Sequence, residues 1–166
     1  MALGGGSSDE VANGVAVDRG GNIAVIGTFQ GTVDFGGGAL TSAGLSDMFL
    51  VKLSPLGNHI WSKVIGGAGP DADYAVAVDG VGTVAMVGAI QNVVGQSDVF
   101  VAKYSAAGAP LWSKSFGGTL NDVGTAVALD GSGNVVVTGY FQGTVDFGSG
   151  PLPAASGDAF LLNLGP

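Results

Sequence analysis

Cysteine is absent from the 166 residues, which removes disulfides and thiolate metal sites and does not fix the redox compartment. Basic residues are scarce as well: five Lys and Arg stand against 13 Asp and Glu, for a net charge of −8. A surface of that sign repels phosphate backbones, so nucleic acid is not expected as a partner. Uninterrupted apolar runs stop short of the roughly 20 residues that a membrane-spanning helix needs. Met1 to Ser8 lack the charged and apolar regions of a signal peptide. A soluble chain with no membrane partner is therefore expected. Charged residues make up only 11% while hydrophobic residues reach 46%, which excludes the composition of a disordered chain.

Glycine is what the chain has in abundance. Its 32 glycines and six prolines are spread along the whole length, the pattern of many tight turns between short strands rather than of long helices. They also mark a repeat. Double glycines at Gly5 and Gly6, Gly66 and Gly67, and Gly117 and Gly118 are each followed by an acid. GVAVD, AVAVD or AVALD comes next, ending at Asp18, Asp79 and Asp130. A period of this length points to a repeat architecture. The copies run over approximately 5–65, 66–116 and 117–166 of a single domain, 1–166.

Each copy continues in the same order. A turn leads to a second apolar run: NIAVIGTF from Asn22, TVAMVGAI from Thr83, NVVVTGYF from Asn134. A third follows as DMFLVKL, DVFVAKY and DAFLLNL from Asp47, Asp98 and Asp158, and a fourth, HIWSKVI and PLWSKSF, occurs only around Trp61 and Trp112. Valine-rich runs flanked by Asp and Gly read as hairpin strands. Copies one and three carry a longer loop between strands two and three, opening on the same octapeptide FQGTVDFG at Phe29 to Gly36 and Phe141 to Gly148. Strands such as Met48 to Leu53 are apolar on both faces, so both sides of the sheet should be covered. The expected fold is all-β: a β-propeller made of three four-stranded blade repeats, the third lacking its last strand. A parallel β-solenoid is the alternative, although its repeat is usually shorter.

The order GG, acid, AVAVD, GN, VVVTGYF, GTVDFG, DAF, K and WSK resembles the bacterial repeats known as seven-bladed β-propeller, or SBBP, repeats. It does so over nearly the entire chain, from about Gly5 to Leu164. The resemblance implies propeller blades, often in extracellular or cell-surface bacterial proteins, with no common catalytic activity. Three copies make an arc rather than the family's ring, and the third stops at Pro166 before its tryptophan strand. Sheet faces and an unpaired edge would remain exposed at the ends of such an arc, so self-association is expected. A homodimer giving six blades is the simplest closure, through head-to-tail interfaces. Met1 to Leu3 is a candidate for part of the missing fourth strand, and a fragment of a longer chain is the alternative explanation.

A catalytic group occupies one special place, whereas a structural group in a repeat protein recurs at every equivalent one. Asp18, Asp79 and Asp130 are equivalent, as are Asp47, Asp98 and Asp158, and Glu10, Asp71 and Asp122; Asp34 matches Asp146. Only Asp9 and Asp73 stand outside these sets. Lys52 matches Lys103 and Lys63 matches Lys114. The Asp18 set reads as Asx-type turns rather than calcium loops, because each turn supplies a single acid. The Asp47 set reads as paired or loop-fastening groups, and Trp61 and Trp112 as packing between blades. His59, the one histidine, has no counterpart and reads as a strand-edge residue rather than a general base.

No catalytic residue, metal site or cofactor is therefore expected, and the expected function is a non-enzymatic structural or interaction module. A lectin-like glycan or protein binder is the alternative, with its ligand at Phe35, Phe147, Asp34 and Asp146 of the repeated loop. A hydrolase using Asp71, Asp73 and Asp122 is the third reading.

Overall fold

A computed structural model describes residues 9–93 and 96–166, apart from the side chains of 92 and 93; the expectations for Met1 to Leu3, Gly5 and Gly6 lie outside these residues. The chain is all-β, and among the described residues no helix is long and apolar enough to cross a membrane. The first sheet contains β1 (Glu10–Val17), β2 (Ile23–Phe29), β5 (Asp47–Leu53) and β6 (His59–Ile65), hydrogen-bonded in that order. A small hairpin, β3 (Thr32–Asp34) with β4 (Ala39–Thr41), is inserted between β2 and β5. The second sheet runs β7 (Ala72–Val78), β8 (Val84–Val93), β9 (Gln96–Tyr104), β10 (Pro110–Phe116). The third contains β11 (Val123–Leu129), β12 (Val135–Asp146) and β13 (Pro151–Leu164). Among the described residues every pairing is antiparallel, which excludes a parallel solenoid there.

Local chemistry explains why each sheet repeats the last. The turn after the first strand closes when the N–H of Gly21, Gly82 or Gly133 donates to the carbonyl of Asp18, Asp79 or Asp130. Those glycines sit at φ of 79°, 91° and 84°, a region that side chains disfavour. Each first strand then bulges by one residue, at Asn13, Tyr74 and Thr125. The residues opposite, Gly27, Gly88 and Gly139, are glycine because a Cβ there would run into the carbonyl of Val11, Ala72 or Val123.

The sheets stack in chain order, with β7 packed on β1 and β2, and β11 on β7, β8 and β9. Between the first and second sheets, Ala24, Ile26, Met48, Leu50, Trp61 and Ile65 meet Val84, Met86, Ala102 and Tyr104. Ala85, Val87, Val99 and Val101 meet Val135, Val137, Phe141, Phe160, Leu162 and Leu164 between the second and third. The outer face of the first sheet is covered in part by its own hairpin, Val33 and Phe35 lying on Phe29 and Phe49. Sheets buried on both faces need apolar residues at successive positions, which is why β5 is buried throughout.

Candidate functional site

The repeated turn acids are committed to backbone. Asp18 accepts Asn22 N–H and Nδ2, each at 2.9 Å; Asp79 accepts the N–H groups of Val81 and Thr83; Asp130 accepts those of Ser132 and Asn134 and also Asn134 Nδ2. Burial alone would raise the Asp18 carboxyl, but the Asn22 bonds and the Lys52 ammonium together hold it below its ordinary value. Asp79 is likewise lowered, burial being outweighed by Thr83, Val81 and Gly82; Asp130 is lowered by Asn134 first. No group of three or more His, Asp or Glu among the described residues is placed to hold a metal ion. A shallow groove of about 230 Å³ lies along these turns, lined by Arg19, Asp79, Gly80, Val81, Asp130 and Gly131.

The two GTVDFG loops fold alike, and their rings point inward. Phe35 is 6% exposed, with its ring 4.5 Å from that of Phe49. Phe147 is half-buried among Phe116, Phe141 and Phe160. Asp34 Oδ1 accepts the N–H groups of Gly36 and Gly38, and Asp146 Oδ1 those of Gly148 and Gly150, at 2.7 and 3.0 Å in both loops. These bonds depress the Asp34 carboxyl, with a smaller contribution from His59. Phe35 thus lies in the core of its sheet, while Phe147 keeps part of its surface exposed. His59 lies under the loop against Gly37, with Nε2 3.1 Å from Ser62 Oγ.

Carboxyl groups meet where one sheet hands over to the next. The N–H of Asp71 donates to the Ser46 carbonyl at 2.8 Å, which brings its side chain to Asp47 at the start of β5. The two acids converge on Gly66: a Cβ there would lie 2.5 Å from Asp71 Oδ2 and 2.6 Å from Asp47 Oδ1. Asp71 accepts Gly67 and Gln91 N–H, and Asp47 Oδ2 accepts Ala43 N–H, while the buried Asp47 Oδ1 has no hydrogen-bond partner. The next junction repeats this. Asp122 N–H donates to the Ser97 carbonyl, the Asp122 side chain accepts Gly118 and Gln142 N–H, and a Cβ on Gly117 would strike Asp98. Burial raises Asp71 and Asp122, with added repulsion from Asp47 and Asp98 respectively. Asp158, the third copy's counterpart of Asp47 and Asp98, is exposed.

Asp73 has no counterpart and belongs to no acid pair. Its Oδ1 accepts Asn13 Nδ2 at 3.0 Å from the neighbouring sheet, its Oδ2 is buried without a partner, and burial raises its carboxyl. Asp71, Asp73 and Asp122 thus lie at two separate sheet junctions, not in one cleft. Composition gave no hint of the Asp47–Asp71 and Asp98–Asp122 pairs; the recurrence of both acids in every copy was the available signal.

Cross-sheet ties recur too. Lys52 Nζ donates to the Gly82 carbonyl at 2.7 Å and Lys103 Nζ to the Gly133 carbonyl at 2.6 Å, each reaching the next sheet's Asp turn. Trp61 Nε1 donates to the Ala106 carbonyl at 3.0 Å, and Trp112 lies against the core between the second and third sheets, with Lys114 Nζ 5.7 Å from its ring.

The ends of the stack break the pattern. Leu50 and Val101 are wholly buried under a following sheet, yet the equivalent Leu161 is 78% exposed. Val76 and Val78, and Val127 and Leu129, pack on a preceding sheet, yet Val15 and Val17 are 66% and 59% exposed. A cavity of about 190 Å³ opens on that face, lined by Ala12, Asn13, Gly14, Val15 and Val25.

No family model matches the chain. Across an alignment 132 residues long that takes in 71% of the chain, it is 27% identical to the regulatory protein FlaEY of Caulobacter vibrioides. The matched segment is 14% of that relative, so the chain spans a small part of its length.

Proposed function

We propose that this chain is a non-enzymatic structural and interaction module: three β-propeller blades of the SBBP type whose end faces take further blades, supplied by a second copy to complete the ring. One observation carries the reading. Leu161 is bare where the equivalent Leu50 and Val101 are buried, and Val15 is bare where the equivalent Val76 and Val127 are half-buried, while Val25, Val51 and Leu53 on the same face as Val15 are already covered. Apolar faces of this kind associate because burying them removes about 25 cal/mol for each Å² taken from water. Two unlike faces give a head-to-tail interface, and two copies give six blades. FlaEY's name marks that relative as regulatory.

Light scattering on the eluting chain and on Leu161→Glu and Val15→Glu tests this. The unmodified chain is expected to elute as an assembly, and either charge to reduce its mass while leaving the circular dichroism of the sheets intact. A folded monomer in all three samples would refute it.

A further inference from the structure

The two internal junctions are nearly identical in their polar parts, and the two ends hold the halves of a third. Within the chain, the N–H of the acid that opens each sheet donates to the carbonyl before the third-strand Asp: Asp71 to Ser46, Asp122 to Ser97. This backbone bond is what sets one carboxyl against the other. In the third sheet the corresponding carbonyl and acid are those of Gly157 and Asp158, and in the first sheet the corresponding N–H and acid belong to Glu10. Asp158 pairs in register with Phe141 as Asp47 does with Phe29 and Asp98 with Ile90, so its backbone stands where theirs stand.

We infer that a second copy docks with its first sheet on the third sheet of its neighbour in the register of the internal junctions, setting Glu10 of one copy against Asp158 of the other. This rests on the self-association proposed above and adds its register and its regulation. The occupant is a second copy because each end carries the half-junction that the other lacks, continuing an interface already made twice inside the chain. Leu161 then enters the face lined by Val15 and Val25, as Leu50 and Val101 enter theirs.

A junction built on two facing carboxyls responds to pH. At the internal junctions the charge acting on Asp71 is Asp47 and that on Asp122 is Asp98, and backbone N–H groups supply the other polar contacts. Between copies, Glu10 and Asp158 meet with Asp9, an exposed acid, as the neighbouring charged group. Bringing these acids together is costly when all are ionised and cheaper when one is protonated, so acidification favours the assembled state.

Sedimentation equilibrium at pH 7 and pH 5 on the full chain, Asp158→Asn and Glu10→Gln provides the test. The unmodified chain is expected to associate about two- to threefold more tightly at pH 5, because a carboxyl raised by about one unit has taken up only part of its proton at that pH. Each amide variant is expected to associate at pH 7 at least as tightly as the unmodified chain does at pH 5, and to lose most of the pH dependence. Association with the same affinity at both pH values, or a pH dependence that both variants retain, would overturn the register while leaving self-association standing. A chain monomeric at both pH values would overturn both.

Discussion

The Lys52 ammonium donates to the Gly82 carbonyl 2.7 Å away in the next sheet while lying 3.3 Å from the Asp18 carboxylate of its own. A side chain 2% exposed thus fastens two sheets with one charge. Lys103 does the same for Gly133, but in the third sheet the position is Asn163, too short for that reach. Asn163→Lys is therefore expected to supply the missing tie toward the Gly21 carbonyl of a docked copy. Self-association should tighten about five- to tenfold, since hydrogen bonds from charged groups contribute about 1.5–3 kcal/mol and ordering a lysine offsets part of that. An unchanged dissociation constant by sedimentation equilibrium would count against the docking register.

Lys103→Met keeps the aliphatic stem and removes the donor, leaving the Gly133 carbonyl unpaired. A loss of about 1–3 kcal/mol in urea unfolding is expected, the cost of an orphaned buried polar group. A change below about 0.5 kcal/mol, the usual scatter of surface substitutions, would mean that water replaces the ammonium.

Phe35→Ala and Phe147→Ala separate packing from ligand recognition at the repeated loops. Phe35 is 6% exposed and its truncation should cost about 3–5 kcal/mol; Phe147, half-buried, should cost less. Thermal denaturation measures both. Unchanged stability together with lost binding on a glycan array would instead favour a lectin.

Asp73→Asn tests the buried acid at the first junction. The folded-state pKa of Asp73 is raised by burial, so its contribution to stability is fully present below the unfolded carboxyl value and is lost as pH rises through the folded one. The amide carries no charge to desolvate and still accepts from Asn13. The variant is expected to be more stable than the parent at pH 7 and to gain little at pH 3. Asp18, Asp34, Asp79 and Asp130 act in the opposite sense: their depressed pKa values stabilise the fold above the ordinary carboxylate range, and that stability is lost as pH falls through the folded values. A gain for Asp73→Asn that is larger at pH 3 than at pH 7 would reverse this assignment.

Strand order and turn chemistry were legible in the sequence because they are local. Valine alternation marks the strands, and Asp with a glycine three residues on marks the turns, as at Asp18 and Gly21. The bulge at Asn13 was not read, although Gly27 inside an apolar strand is its trace, since glycine there relieves a clash that only pairing creates. At the loops, the sequence showed that FQGTVDFG recurs but not that Phe35 turns inward onto Phe49. Ring direction depends on a neighbouring sheet that no local pattern encodes. Meetings between copies, such as Asp71 with Asp47 or Asn13 with Asp73, arise from the stacking angle and the loop path, so the repeat named their members without pairing them.

Sedimentation equilibrium of the unmodified chain at neutral pH, from low to high micromolar concentration, tests the central claim most directly. One copy has a mass of 16.1 kDa; the expected result is reversible formation of a species of twice that mass as concentration rises. A single species at the mass of one copy over the whole range, with Leu161 and Val15 still bare, would contradict it.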